Sequence, residues 1–491
     1  MPLSDVLSVF LIATIASCIS LGSAYRIPPP TIVVHQPSGL KVSIPDENGI
    51  ILFAFHGKVN ERLEQNEVGT LYDDIQKAQD GRWTYQNNSV ALKKGDKLHY
   101  WLYVQNEKLA YRLEDQVFEV MEFNTPTVIQ IPEPVIIHER PQCEFSRTYV
   151  NGDHVCKSTL VFEENFDTLN GSIWTREVKF PKDTEDAEFC SYQDRPENSY
   201  IRDGKLFIVP SLQEEVPGFN ESFIRRGKLD FGKRCTPSTI LNNPIECERQ
   251  AGVTQVVSPV VSAQLTTKNS FKFKYGKVVI RAKLPTGDWL FPEMFLKSSQ
   301  NVFGDDNLVN GLMRVAFIHS NKQLQTEQGA ETDGLYLRGQ LVLDRSEANR
   351  EKWMKVEIGQ QHWGADFHEY SLTWTDEMIS MAVDGKPYAH FRDKFCDKDH
   401  PCNIEHASLW ESGSKLAPFD QEVYLVLGVG VGGLSDFPEN CRTGPDRHPK
   451  PWRNTDPRAE KNFYNDKKSW YPTWQGEEAG LQVDWVKIYS L

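Results

Sequence analysis

The run His99-Tyr100-Trp101-Leu102-Tyr103-Val104 sets three aromatic rings among six residues. Side chains alternate along an extended strand, so Trp101 and Tyr103 share one face while Tyr100, Leu102 and Val104 share the other. Flat rings on one face of a sheet suit a pyranose. The apolar C–H faces of the sugar pack on them, while Asp, Asn and Arg at the edge fix the hydroxyls through directed hydrogen bonds. The same alternation also fits a strand whose aromatics are all core, and spacing by itself does not choose between the two.

Other chemistries find few parts. The sequence holds no Gly-x-Ser-x-Gly elbow with Ser-His-Asp partners, no P-loop and no Rossmann glycine pattern. It has no CxxC pair and no Cys/His knuckle, so neither a metal nor a cofactor is expected. His319 and His362 stand alone and read as structural histidines. Asp305 and Asp306, between Gly304 and Asn307, read as loop residues.

Composition constrains the fold that must carry these residues. The chain has 491 residues, room for two or three domains each with its own core. With 39% hydrophobic and 25% charged residues it is globular in composition, and its 12 Trp and 17 Tyr are the enriched part. Acidic residues outnumber basic ones, 68 to 54, for a formal charge of −14. That balance argues against nucleic acid as a partner, since counterion release from a polyanion needs a surplus of Lys and Arg.

Val6 to Ala24 is apolar, uncharged and ends Gly22-Ser23-Ala24, a small-x-small pattern suited to signal peptidase. Residues 1–24 are therefore read as a secretory signal. An uncleaved anchor is the other reading, because Met1 to Asp5 carries no Lys or Arg. No other stretch approaches the ~20 apolar residues of a membrane span, so a secreted, extracellular protein without a membrane span is expected. Cleavage removes Cys18 and leaves Cys143, Cys156, Cys190, Cys235, Cys247, Cys396, Cys402 and Cys441. An even number in an oxidising compartment suggests disulfides, with connectivity open. The short loops Cys143/Cys156, Cys235/Cys247 and Cys396/Cys402 are the easiest to close, which would leave Cys190 with Cys441. Glycosylation sequons stand at Asn87, Asn170 and Asn220.

Residues 25–122 lack cysteine and read as short strands separated by turns such as Pro45-Asp46-Glu47-Asn48-Gly49 and Lys94-Gly95-Asp96. The expected fold is a small immunoglobulin-like β-sandwich. Residues 123–142, with Pro126, Pro132, Pro134 and Pro141, read as a stiff linker. From Cys143 to Leu491, many short apolar runs broken by Gly and Pro predict a large all-β domain, a two-sheet, concanavalin-like jelly roll.

Within residues 25–122, three runs carry a resemblance: Gly39-Leu40-Lys41-Val42-Ser43-Ile44-Pro45-Asp46, Leu52-Phe53-Ala54-Phe55-His56-Gly57-Lys58-Val59-Asn60 and Asp80-Gly81-Arg82-Trp83-Thr84. Together they resemble the N-terminal module of arthropod β-1,3-glucan recognition proteins (the Gram-negative-bacteria-binding protein family), carbohydrate-binding module family 39. By matched position the resemblance implies that Asp74, Trp101, Tyr103 and Arg112 contact ordered, triple-helical β-1,3-glucan. Asp73 beside Asp74 leaves that carboxylate ambiguous by one residue.

Motifs from Leu160-Val161-Phe162-Glu163-Glu164-Asn165-Phe166-Asp167 to Leu481-Gln482-Val483-Asp484-Trp485-Val486-Lys487-Ile488-Tyr489 resemble glycoside hydrolase family 16. Retaining glycosidases need two carboxyl groups about 5 Å apart. Active members of that family carry theirs on one strand as Glu-x-Asp-x-x-Glu. Matched to that motif, Gly311 to His319 places Leu312 at the nucleophile, Arg314 at the helper and Phe317 at the acid/base position. Leu and Phe can neither attack an anomeric carbon nor donate a proton. The nearest other acidic pattern, Glu331-Thr332-Asp333-Gly334-Leu335-Tyr336, is Gly-rich and ends in Tyr336, and Glu293 reads as a solvated or hydrogen-bonded carboxylate. Trp289, Phe463, Tyr464, Trp470, Tyr471 and Trp474 either line a sugar cleft or pack in the core.

The resemblance implies a non-catalytic, secreted innate-immune recognition protein of the haemolymph. It would bind β-1,3-glucan of fungal and microbial walls and recruit a modular serine protease toward prophenoloxidase activation or Toll signalling, with ligand-driven self-association a further expectation. The alternatives are a secreted endo-β-1,3-glucanase, which the residues at 312, 314 and 317 disfavour, and a lipopolysaccharide-binding recognition protein, which the acidic charge disfavours.

Overall fold

The computed structural model describes residues 27–63, 67–106, 109–129, 143–181, 187–237, 244–304, 308–396, 404 and 406–491. The signal segment 1–24 lies outside them, as do Asp305 and Asp306. The chain divides into two units, Met1–Cys143 and Glu144–Leu491, and both are all-β as expected. No helix among the described residues is long and apolar enough to cross a membrane.

The first unit is a sandwich of two antiparallel sheets. Its strands are β1 (Thr31–Val34), β2 (Leu40–Pro45), β3 (Ile50–Val59), β4 (Leu71–Ile75), β5 (Arg82–Asn87), β6 (Lys97–Asn106), β7 (Leu109–Glu119) and β8 (Thr127–Val128). One sheet runs β5-β2-β1-β8 and the other β4-β3-β6-β7. The core between them takes every second residue: Leu40, Val42 and Ile44 from β2, Leu98, Tyr100, Leu102 and Val104 from β6. Trp83 is buried with its indole N–H donated to Asp46 at 2.8 Å, which anchors the turn that follows β2. The linker boundary at 122 moves. Thr127 and Val128 pair with Ile32 and Thr31, and Phe123 and Ile129 pack on the core, so the sandwich extends to Ile129. Residues 130–142 lie outside the described residues.

The second unit is a jelly roll of two large antiparallel sheets. In the first, Val423–Val431, Leu290–Ser298, Leu312–Phe317, Tyr336–Val342 and Met354–Ile358 are successive neighbours. In the second, the final strand Leu481–Tyr489 pairs with Leu160–Glu164, Lys205–Ile208 and Gly276–Lys283, tying both ends of the unit into one sheet. Leu290, Met294, Leu296, Met313, Val315, Leu425 and Leu427 of the first sheet join Val278, Ile280, Tyr370, Leu372 and Trp374 of the second in one buried cluster. Burial of that size is the main stabilising term of such a unit.

Cys235 and Cys247 form a disulfide with Cα atoms 5.4 Å apart, and Cys143, Cys156 and Cys396 are each disulfide-bonded. Cys402 lies outside the described residues. The pairing of Cys190 with Cys441 does not form: both are free and buried. Elimination assumed that every cysteine is bridged, whereas each of these two is packed as a small apolar residue. Cys190 starts the strand Cys190–Tyr192, and its neighbour Phe189 is wedged against Trp452 and Phe463. Burial raises both thiol pKa values, that of Cys441 to about 12, so neither forms the reactive thiolate near neutral pH. Iodoacetamide is expected to label Cys190 and Cys441 only after unfolding in guanidinium, as read by peptide mass spectrometry. A Cys190–Cys441 disulfide in the unreduced digest would contradict the structure.

Candidate functional site

Register places the expected contacts of the sandwich on the outward face of the β4-β3-β6-β7 sheet. His56 on β3 lies opposite Tyr72 on β4 and Trp101 on β6, while Ala54 lies opposite Asp74 and Tyr103, and Tyr103 opposite Arg112 on β7. A register shift between Tyr100 and Leu102 leaves Trp101 without a directly paired residue on β7, where the ladder loosens. The alternation read in β6 therefore holds: Tyr100, Leu102 and Val104 are buried, and Trp101 and Tyr103 stand on the other face, partly exposed.

Side chains on this face form a row of parallel plates. The Trp101 ring stacks on His56 with centroids 3.7 Å apart and planes at 9°, and the Arg112 Cζ lies 3.8 Å from the Trp101 centroid. Tyr72 continues the row beyond His56, at 6.2 Å and 10°. The Trp101 indole N–H donates to the Glu67 carbonyl at 2.8 Å, and the His56 Nδ1 lies 3.1 Å from the Val68 carbonyl. A cation over an indole face contributes about 0.5–2 kcal/mol depending on exposure. Arg112 is held further by Glu114 at 3.2 Å.

Cross-strand parity separates Asp73 from Asp74. Asp73 lies opposite the buried Phe55, on the core side, whereas Asp74 lies opposite Ala54, on the side of Tyr103. The Asp74 carboxylate is 4.0 Å from His56 and well exposed. Sequence reading did not single out His56 and Tyr72, which stand on this same face. The same period of two, applied to Ala54-His56-Lys58 and to Tyr72-Asp74, was the signal that could have found them.

In the jelly roll, a β-bulge sets the three positions of the glycosidase-like motif. Arg314 pairs with Gln340 and Phe317 with Arg338, so three steps on one strand match two on its neighbour. The extra residue puts Leu312, Arg314 and Phe317 on one face, the geometry a Glu-x-Asp-x-x-Glu spacing requires. That face is sealed: the three residues are 4%, 4% and 2% exposed. Leu312 packs with Leu308, Val342 and Phe295. Phe317 packs against Phe291 and His319, with the Arg314 Cζ 4.2 Å from its centroid.

Arg314 donates to both oxygens of Asp436, at 2.7 and 3.0 Å, and to Gln340 at 3.0 Å. Arg350 donates to the same Asp436 at 2.8 Å. His319 is held near a pKa of about 3 by burial beside Arg338 and Arg314. Its Nε2 lies 2.7 Å from the Asp436 carbonyl, and its Nδ1 lies 2.6 Å from the Thr332 carbonyl and 3.2 Å from the Thr332 hydroxyl. The loop that carries Asp436 is thus fixed by its side chain and its backbone.

Glu293, expected as a solvated or hydrogen-bonded acid, is buried and accepts from the Tyr192 hydroxyl at 2.7 Å and from the Gln264 amide at 3.2 Å. Gly428 and Gly430 make room on this face: a Cβ at 430 would lie 2.2 Å from the Phe291 ring, and one at 428 would lie 2.1 Å from a Glu293 carboxylate oxygen. Asp333 is buried and accepts from the Leu335 N–H, and Tyr336 donates to Glu331, so that acidic segment is a turn. Trp289, Phe463, Tyr464, Trp470 and Trp474 are buried and Tyr471 partly so, which makes them packing residues. His362 borders a cleft of about 430 Å³ with Thr286, Lys322, Gln475 and Glu478. Its Nδ1 accepts from the Gly364 N–H at 2.9 Å, and burial lowers its pKa. Asn170 and Asn220 are exposed and Asn87 partly so, and Asn220 caps the helix Glu221–Arg226 through the Phe223 N–H.

A carbohydrate-binding sandwich followed by a glycoside hydrolase family 16-like jelly roll is the class these two units define. The CBM39 family model, described as a carbohydrate binding domain (family 32), matches residues 26–131. The model for glycosyl hydrolases family 16 matches residues 339–424, beyond the strand Leu312–Phe317. The chain is 36% identical over 499 residues to Beta-1,3-glucan-binding protein 1 of Galleria mellonella, covering 96% of each chain. It is 33% identical over 494 residues to Gram-negative bacteria-binding protein 1 of Drosophila melanogaster, covering 95% of this chain and 96% of that one. A laminarinase from Rhodothermus marinus superposes with a TM-score of 0.41 at 19% identity, covering 68% of this chain and 97% of that one. The chain belongs to the insect family of β-1,3-glucan-binding and Gram-negative bacteria-binding proteins.

Two outcomes follow for the sealed face and its surroundings. Asp436→Ala leaves two buried guanidinium groups without their carboxylate and is expected to destabilise the second unit by about 3–5 kcal/mol. Guanidinium denaturation measures this, and a loss below about 1 kcal/mol would mean that water already reaches the cluster. Burial pushes the Asp288 carboxyl up to about 6 despite hydrogen bonds from Thr443 and Asn321. Its folded pKa exceeds the unfolded value, so its contribution is present below about pH 4 and is lost as pH rises to about 6. Asp288→Asn, compared with wild type across that window, is expected to flatten the stability curve by on the order of 2–3 kcal/mol. Parallel curves would show that Asp288 is ionised in the fold.

Proposed function

We propose that the protein is a secreted pattern-recognition protein that binds β-1,3-glucan of fungal and microbial walls through the outward face of the β4-β3-β6-β7 sheet, and that its jelly roll does not hydrolyse sugar. The observation that carries this reading is the contrast between the two faces. Asp74, Trp101, Tyr103 and Arg112 share a partly exposed face, while Leu312, Arg314 and Phe317 are buried. The names of the relatives, binding proteins for β-1,3-glucan or Gram-negative bacteria, support the ligand class.

Hydrolysis with retention needs two carboxyl groups beside a glycosidic oxygen. At these positions stand an aliphatic side chain, a guanidinium already bound to Asp436 and a phenyl ring, none of which donates or accepts the required proton. Binding is a different demand: a repeating polymer presents many copies of one epitope, so modest affinity per module becomes avidity when several modules sit on one particle. The bound protein then recruits a modular serine protease and initiates the cascade toward prophenoloxidase or Toll, with self-association on the polymer as part of that assembly. The apolar segment 6–24 and the sequons at Asn87, Asn170 and Asn220 support secretion.

The test uses the full-length protein with insoluble curdlan and with soluble laminarin. Wild type is expected to sediment with curdlan and to release no reducing ends from laminarin, and Arg112→Ala to bind about tenfold more weakly through loss of its cation over Trp101. Reducing-end release that disappears on mutation of a carboxylate would establish a glucanase instead. Undiminished binding by Arg112→Ala would place the site on another surface.

A further inference from the structure

Resting on the glucan-binding reading, we propose that Tyr72 supplies the ring on which the sugar stacks, and that Trp101 acts as the internal plate that positions His56 and Arg112. Stacking a pyranose requires one open aromatic face. Trp101 has none: β3 and β7 flank β6 on opposite sides, and each sends a group onto the indole, His56 at 3.7 Å and the Arg112 Cζ at 3.8 Å. These are contact distances between planar groups, so no sugar ring enters on either side. The indole N–H is also committed, to the Glu67 carbonyl.

Tyr72 ends the same row with a different outlook. It lies on β4, the edge strand of its sheet, so among the described residues no further strand of this sheet stands beyond its outer face, and it is 60% exposed. Its plane is within 10° of His56, so it presents a ring in the orientation of the whole row. Asp74 follows two residues on and points to the same face, about 7 Å along the strand. Its carboxylate is 61% exposed and accepts hydroxyl hydrogen bonds from a sugar held on Tyr72. From β4 to β7 the row crosses three strand spacings, about 14 Å. This is a strip for several units of a neutral polysaccharide lying across the sheet, too open to enclose a monosaccharide.

Full-length Tyr72→Ala, Tyr72→Phe and Arg112→Ala are compared with wild type for retention on insoluble curdlan, with thermal melts of each to verify folding. Tyr72→Ala is expected to bind about tenfold more weakly with an unchanged melt, the loss of one aromatic stack, and Tyr72→Phe to bind within about twofold of wild type. Wild-type binding by Tyr72→Ala alongside a loss in Arg112→Ala would overturn the role of Tyr72 and leave the glucan reading standing. Failure of the wild-type protein to bind curdlan would overturn both.

Discussion

Side chains on a β-strand alternate between two faces, and both units of this protein are organised by what stands on the face that the inter-sheet core does not use. In the sandwich, β6 commits Leu98, Tyr100, Leu102 and Val104 to the core and leaves Trp101 and Tyr103 outside. In the jelly roll, Leu290, Met294 and Leu296 alternate along one strand with Phe291, Glu293 and Phe295, which point to its opposite face. A single bulge in Leu312–Phe317 resets the count so that a two-step and a three-step spacing reach one face. The same rule thus leaves one face open and furnished with polar groups, and the other closed.

Closure of the jelly-roll face is maintained by charge as much as by apolar packing. A guanidinium taken out of water is tolerable only if its donors are met, and Arg314 meets Asp436 in a two-point contact that Arg350 shares. His319, neutral because it is buried beside cations, fixes the backbone of the same loop. Glycines at 428 and 430 let Glu293 and Phe291 lie flat over the neighbouring strand. Substituting acids at positions 312 and 317 would therefore place carboxylates among buried neighbours.

Much of this was legible from short-range pattern. Parity put Trp101 and Tyr103 together, and the two-domain, all-β architecture followed from strand-length apolar runs and turn residues. Partners distant in sequence were not legible. Asp436 lies 122 residues from Arg314, and nothing local marks it as the counter-ion. Which of Asp73 and Asp74 shares a face with Tyr103 needed the register of β4 against β3. The plates on either side of Trp101 come from two other strands, so a ring that reads as an open platform in one strand is enclosed in the sheet. Counting cysteines misled for a related reason: parity of number says nothing about whether Cys190 and Cys441 meet.

The face proposed for recognition belongs to one sheet of the sandwich, and the glycosidase-like positions belong to one sheet of the jelly roll. Amide hydrogen–deuterium exchange of the full-length protein with and without laminarin locates the ligand on that map most directly. Ligand-dependent protection concentrated in β3, β4, β6 and β7, with Leu290–Ser298 and Leu312–Phe317 unchanged, is the result the structure predicts. Protection centred on Leu312–Phe317 and its neighbouring strands, with the sandwich unchanged, would contradict it.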